Sequence, residues 1–355
     1  MAVAQFTWGA AQPLFGMLAD RVGSFNVIVL GTLLLALGLA ITPFMSSGFG
    51  LVFAIGILTA AGAGAGSFSI LIGAAAQRLP ADRRSTASGY INAGGSLGQF
   101  IFAPFTQALI SSFNWVIAIL VLAVTSLTSI LLALPLREKR DIAEKRAAAQ
   151  ADGMTLGEQL RISFKDRSYL CLNIGFFTCG FHIAFLVTHL PGEVGLCGLS
   201  ASVGATSLAI IGLANVVGSI GAGWLGQTQR MKMLLFWMYA SRAFAVAIYL
   251  MAPKTEFTFY IFAAVLGLTW LSTVPPTAGL VGKLFGPRYL ATLFGFTLLS
   301  HQIGGFFGAW LGGITLVQSG SYEWMWYADI ALASAAALIN LPIREAHPKL
   351  SLTAA

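Results

Sequence analysis

Stretches of roughly twenty apolar residues, separated by short connections that carry the charge, leave this sequence few ways to fold. An α-helix crosses the hydrocarbon core of a bilayer with about 20 apolar residues. A charged residue at the centre of that core costs roughly 2.5–3.5 kcal/mol on insertion scales. The segment Gly16-Met17-Leu18-Ala19-Asp20-Arg21-Val22-Gly23 sets an acid beside a base between two uncharged runs. Such a turn belongs at a membrane surface, and its bracketing glycines suit helix ends that approach closely. Only 9% of the residues are charged and 57% are hydrophobic. A soluble domain carries about 25% charged residues. The chain is therefore an all-α integral membrane protein.

At about 20 residues per span, the sequence divides into about eleven helices. They run roughly 1–19, 26–44, 49–77, 85–110, 114–134, 168–190, 200–226, 231–251, 257–283, 289–317 and 323–342. With Met1 outside, every Lys and Arg except Arg242 and Lys254 falls in an inner connection or in the tail. This positive-inside asymmetry predicts a cytoplasmic C-terminus. The same placement assigns the formal charge of +7 to membrane orientation and excludes nucleic acid as a partner. Cys171, Cys179 and Cys197 provide neither a disulfide framework nor a metal spacing. No metal or other cofactor is expected. The mixed-charge segment 135–167 reads as a cytoplasmic linker or surface helix. It divides the chain into a first bundle, 1–134, of about five spans and a second, 168–355, of about six with a short tail.

The two halves repeat. Gly16-x-Leu18 before Asp20 matches Gly223-x-Leu225 before Gln227. The helix holding Gly89, Asn92, Gly95 and Gly98 matches, at nearly the same separation, the one holding Gly295, Leu298, His301 and Gly304. Two anchors with one offset indicate parallel halves related by an axis along the membrane normal. On that offset, the counterpart of helix 168–190 falls upstream of Met1, so the repeat predicts one further helix before the first.

The pattern G-x-L-A-D-R-x-G resembles the signature loop between the second and third helices of the major facilitator superfamily. Its degenerate copy, Gly223 to Arg230, and the paired-bundle plan extend the likeness over nearly the whole chain. The stretches Phe176–Pro191 and Tyr289–Gly304 are similar to the seventh and eleventh helices of that family's bacterial monocarboxylate-porter-like branch. The resemblance implies alternating-access transport of small organic anions, coupled to a proton or a counter-anion. It also implies a gating motif of Gly16, Asp20, Arg21 and Gly23, with Arg78 as the base meeting the loop. Two features depart from the branch. Animal monocarboxylate porters carry an Asp and an Arg one turn apart in the eighth helix, where this chain has Asn215 and Ser219. Oxalate–formate exchangers carry a lysine in the eleventh helix, where this chain has His301.

Hydrocarbon gives nothing back for an unpaired polar group, so polar residues within spans are candidates for function. Cys171, Gly175, Thr178, His182 and His189 form one stripe at helical spacing. A histidine can bond an anion when neutral or pair with it when protonated, and interhelical bonding is the plainer alternative. His301 and Gln302 lie mid-span, while Asn92 and Gln99 form the matching stripe of the first half. Arg242 is a carboxylate fork if it faces substrate, or half of a structural Arg242–Asp329 ion pair if it does not. Trp270 precedes Pro275-Pro276, whose missing N–H groups predict a bend beside a cavity. The expected substrate contacts are thus His301, Gln302, His182, Arg242, Asn92, Gln99, Trp270 and Thr178. Efflux of hydrophobic solutes is the alternative carrier function, and a transport-inactive membrane sensor is another. No nucleotide-binding loop or hydrolase motif supports an ATPase or an intramembrane enzyme.

Overall fold

The structure is a computed structural model that describes residues 2–137 and 154–345. Among the described residues there are helices, turns and bends but no strands. Eight segments are long and apolar enough to cross a membrane: Ser24–Phe44, Gly48–Arg78, Trp115–Leu132, Arg167–Leu196, Ala201–Thr228, Met231–Met251, Glu256–Phe285 and Leu290–Ser319. Three further long helices, Ala2–Val22, Arg84–Ser112 and Glu323–Asn340, occupy the remaining positions expected of spans.

The helices are α1 (Ala2–Val22), α2 (Ser24–Ile41), α3 (48–65), α4 (Phe68–Arg78), α5 (Arg84–Ser112), α6 (Trp115–Leu132), α7 (Leu156–Ser163) and α8 (Arg167–Leu196). They continue as α9 (Ala201–Thr228), α10 (Met231–Met251), α11 (Glu256–Thr269), α12 (Val274–Phe285), α13 (Leu290–Ser319) and α14 (Glu323–Asn340). A single residue, Gly23 at φ 93°, separates α1 from α2. Only glycine adopts that conformation without strain. The short α7 lies in the expected linker and begins with a capping box: Glu158 N donates to Thr155 Oγ1, and Thr155 N donates to Glu158 Oε2. These bonds from Thr155 hold the Glu158 carboxyl below its ordinary range. The helix expected to stop at Leu190 instead runs through Pro191 to Leu196. In a crowded bundle, neighbouring groups can make good the N–H that a proline lacks.

Two units pack internally. One comprises Met1–Arg78, Ile101–Asp166 and Phe285–Gln302. The other comprises Leu79–Phe100, Arg167–Leu284 and Ile303–Ala355. Each unit thus draws helices from both halves of the sequence repeat. In the first unit, α2 meets α3 backbone to backbone. A Cβ on Gly31 or Gly62 would strike the opposite helix, and the middle of α3, Val52–Thr59, is π-wound. In the second unit, Gly304 and Gly308 of α13 lie against the carbonyl oxygens of Phe177 and Phe181 of α8. Such contacts replace the hydrophobic drive that lipid does not supply between helices.

The second unit's core gathers Phe185, Tyr249, Phe259, Phe262 and Trp326. Helix α10 shows its two faces plainly. Tyr239, Arg242, Val246 and Tyr249 are buried, whereas Trp237, Phe244 and Ile248 are exposed. The buried face mixes Arg242 and the tyrosines with Leu235 and Val246, while the outer face is wholly apolar at these exposed positions, which suits a helix surrounded by lipid.

Gly308→Val should lower the stability of the purified protein by about 1–3 kcal/mol, because the new side chain must displace the α8 backbone. Gly313→Ala, with nothing within 4 Å of its added Cβ, should stay within about 1 kcal/mol. Thermal unfolding in detergent compares the two, and equal losses would contradict this packing.

Candidate transport site and gate

The expected bend is present and is the hub of the second unit. Helix α11 stops at Thr269 and α12 starts at Val274, with Pro275 and Pro276 in its first turn. The interruption frees carbonyl groups that must be satisfied by side chains, because hydrocarbon offers no hydrogen bonds. Arg242 Nη2 donates to Thr269 O at 2.6 Å and to Trp270 O at 2.9 Å. Its Nη1 reaches Cys179 Sγ at 3.6 Å, and its guanidinium lies 5.3 Å from the centre of the Tyr239 ring. A cation at the carbonyl end of α11 also opposes the helix dipole. Cys179 Sγ lies 3.3 Å from Thr273 Oγ1, which ties α8 to the same break.

Two amides brace the break from other helices. Asn92 Nδ2 of α5 donates to Leu271 O at 2.8 Å and to Ser219 Oγ of α9 at 2.7 Å. Asn215 Oδ1 of α9 accepts from Leu271 N at 2.9 Å, and Asn215 Nδ2 donates to Ser96 Oγ at 2.6 Å. Asn92, Asn215, Ser219 and Ser272 are all fully buried. Glycines permit this approach, since a Cβ on Gly89 would lie 2.6 Å from Ser219 O.

Of the two alternatives for Arg242, the ion pair with Asp329 does not form. Asp329 Oδ2 pairs with His182 Nδ1 at 2.5 Å, both side chains being fully buried. Arg242 is drawn away because the broken helix presents carbonyls that need a donor, while α8 brings an imidazole to Asp329. Trp270 stands with its ring 5.7 Å from that of His182. Thr178 is buried and donates to its own helix at Ile174 O. Gln99 is exposed and lies outside the Asn92 network. The structure thus brings His182, Arg242, Asn92 and Trp270 around one break.

His301 and Gln302 belong to the first unit, where both are buried on α13. Gln302 packs on α1, because a Cβ on Gly9 would lie 2.8 Å from its Cβ. Gln12, one turn along α1, is also buried, and neither its amide oxygen nor its nitrogen has a hydrogen-bond partner in the protein. A separate cavity of about 400 Å³ lies beside α2, lined by residues including Thr32, Leu35, Ser126 and Ser129. None of the expected substrate residues lines it.

The expected gating motif also lies in the first unit. Asp20, at the end of α1, is buried, and its Oδ2 accepts from Thr292 N at 3.1 Å and Thr292 Oγ1 at 2.6 Å. Thr292 is in the first turn of α13, where free N–H groups and the helix dipole favour a carboxylate. Close approach explains the glycines: a Cβ on Gly16 would lie 2.6 Å from Ala291 O, and one on Gly73 would lie 2.7 Å from Ala291 Cβ. Arg21 is exposed. Arg78 donates to Ala74 O and Leu136 O, bracing α4 against the end of α6, rather than to the motif acid.

A helix broken mid-span and cross-braced by buried amides and a guanidinium, within a bundle of apolar spans, is the build of a polytopic membrane protein and one that transporters share. The family model of the Major Facilitator Superfamily matches residues 1–309, and the chain belongs to that superfamily. It is 27% identical over 351 residues to Monocarboxylate transporter 13 of Rattus norvegicus, covering 96% of this chain and 78% of that one. It is 24% identical over 391 residues to Monocarboxylate transporter 12 of Mus musculus, covering 96% and 79%. Among solved structures, the fucose:proton symporter of E. coli superposes with a TM-score of 0.71 at 16% identity, over 95% of this chain and 89% of that one. A proton:xylose symporter gives 0.71 at 15%, over 95% and 83%.

Sequence reasoning did not choose Asn215, Ser219 or Thr292. Asn215 and Ser219, one turn apart in an apolar helix, carried a signal. Nothing local marked Thr292, which matters only through the acid that reaches it. Asp20→Asn should slow transport while leaving substrate affinity within a few fold, because the lost bonds join helix ends. The charge-assisted contact is worth about 1.5–3 kcal/mol. Uptake rate set against a binding isotherm separates the effects, and equal losses in both would place Asp20 in binding.

Proposed function

We propose that the protein is a secondary carrier of small organic anions of the monocarboxylate type, working by alternating access in a bacterial cytoplasmic membrane with its C-terminus cytoplasmic. The observation that carries this reading is the charge of the groups buried within the spans. Arg242, His182, His189 and His301 are buried there, and Asp329 is the buried acid among the described span residues apart from the gate's Asp20. A donor-rich interior suits a carboxylate, which accepts several hydrogen bonds and carries the complementary charge. The relatives named as monocarboxylate transporters, matched over 96% of this chain, agree with it. Efflux of hydrophobic solutes, the second reading, has less support, since cation recognition calls for more buried acids.

His301, with Gln302 beside it, is the substrate contact this reading ranks first, since Arg242 is occupied by the broken helix. His189 is held by Ala309 O and Tyr322. Uptake of radiolabelled lactate, pyruvate and acetate into proteoliposomes at two pH values tests the reading. At least one acid should accumulate above protein-free vesicles. If none does while a hydrophobic dye is moved, efflux is the better account. His301→Ala should weaken acid binding about ten- to hundredfold, the loss of a charge-assisted bond of roughly 1.5–3 kcal/mol. Unchanged affinity would remove His301 from the site.

A further inference from the structure

The transport reading leaves one buried pair without a task. His182 and Asp329 are fully buried and joined through Nδ1 and Oδ2 at 2.5 Å. Their outer atoms, His182 Nε2 and Asp329 Oδ1, are buried and make no hydrogen bond within the protein. For merely holding α8 against α14, apolar side chains of similar volume often serve as well as or better than a buried ion pair. What an imidazole adds is a site at which a proton is gained and lost near neutral pH.

The surroundings set the charge of that site. From α10, Arg242 faces it, joined to Trp270 O and Cys179 Sγ and lying 5.3 Å from the centre of the Tyr239 ring. From α8 itself comes Cys179, and from the break come Thr273 and the Trp270 ring. Helix α9 brings only the neutral Asn215 and Ser219 to the break, and α13 offers Gly304 and Gly308 to this stretch of α8. His189, farther along α8, and Tyr322, just before α14, are separated from the pair by Phe185 packed on Trp326, ring centres 4.9 Å apart. With His182 neutral, Arg242 and Asp329 balance. A proton on His182 leaves one uncompensated positive charge in a medium of low dielectric, which is costly unless an anion arrives.

We propose that His182 and Asp329 form the proton-carrying pair of this carrier, loaded with one proton for each monocarboxylate moved. The proposal rests on the transport reading above. The proton adds to the Nε2 lone pair to form an N–H bond, while Nδ1–H keeps donating to Asp329 Oδ2. On release the Nε2–H bond breaks and the proton returns to water on the opposite side. Proton and anion then favour each other's binding by the same factor, as linkage requires.

Trp270 supplies a reporter that needs no substrate, because an imidazolium beside an indole quenches its emission. In purified protein, a component of tryptophan emission should titrate reversibly between about pH 5 and 9. It should vanish in both His182→Gln and Trp270→Phe, the latter leaving the pair itself intact. Asp329→Asn should displace its midpoint by about one pH unit or more. The same titration persisting in His182→Gln would overturn the proposal. In proteoliposomes, an inward proton gradient should raise lactate uptake in the unaltered protein, and in His182→Gln the ratio with and without gradient should fall to about one. A ratio unchanged by the substitution would equally overturn it. If no carboxylate is carried but the His182-dependent titration remains, the proton site is supported and the substrate reading fails instead.

Discussion

The break between Thr269 and Val274 is the constraint on which the second unit depends. Helix α11 ends within the span just before two consecutive prolines, so its last carbonyl oxygens and the amides of the turn lie where no water can compensate. Each exposed group must then be met by a side chain from another helix. Arg242 answers Thr269 and Trp270, Asn92 answers the Leu271 carbonyl, and Asn215 answers the Leu271 amide. Four helices are committed by these bonds, and their small residues follow from the closeness they demand.

Arg242 illustrates how one such commitment redistributes others. A guanidinium has donors in a fixed fork, and at this position the fork is directed at carbonyls. Asp329 is thereby left to His182. The result is an imidazole–carboxylate pair in place of an arginine–carboxylate pair. The difference matters, because arginine holds its proton under all ordinary conditions and histidine does not.

The motif expected to gate, in the first unit, rests on a different interaction, a carboxylate set against the N-terminus of a helix. Asp20 reaches both the amide and the hydroxyl of Thr292, and Gly16 and Gly73 let Ala291 come close enough for it. Such a contact is directional and made at helix ends, so it can be broken without repacking a core. That property suits the gating role proposed for this motif.

Much of this was written in the chain itself. Apolar run length determined the helices, and the unbalanced distribution of Lys and Arg determined an expected orientation, because both reflect transfer free energies that act residue by residue. The prolines announced the break, and the spacing of His182, Asn92 and Arg242 placed polar groups inside spans. Partner choice was not legible. That Asp329 takes His182, that Arg242 takes backbone carbonyls, that Arg78 turns to Leu136 and that Asp20 finds Thr292 depend on which helices lie side by side. One-dimensional periodicity gives the face on which a residue sits, whereas a hydrogen bond is decided within a few tenths of an ångström by the packing of several helices together.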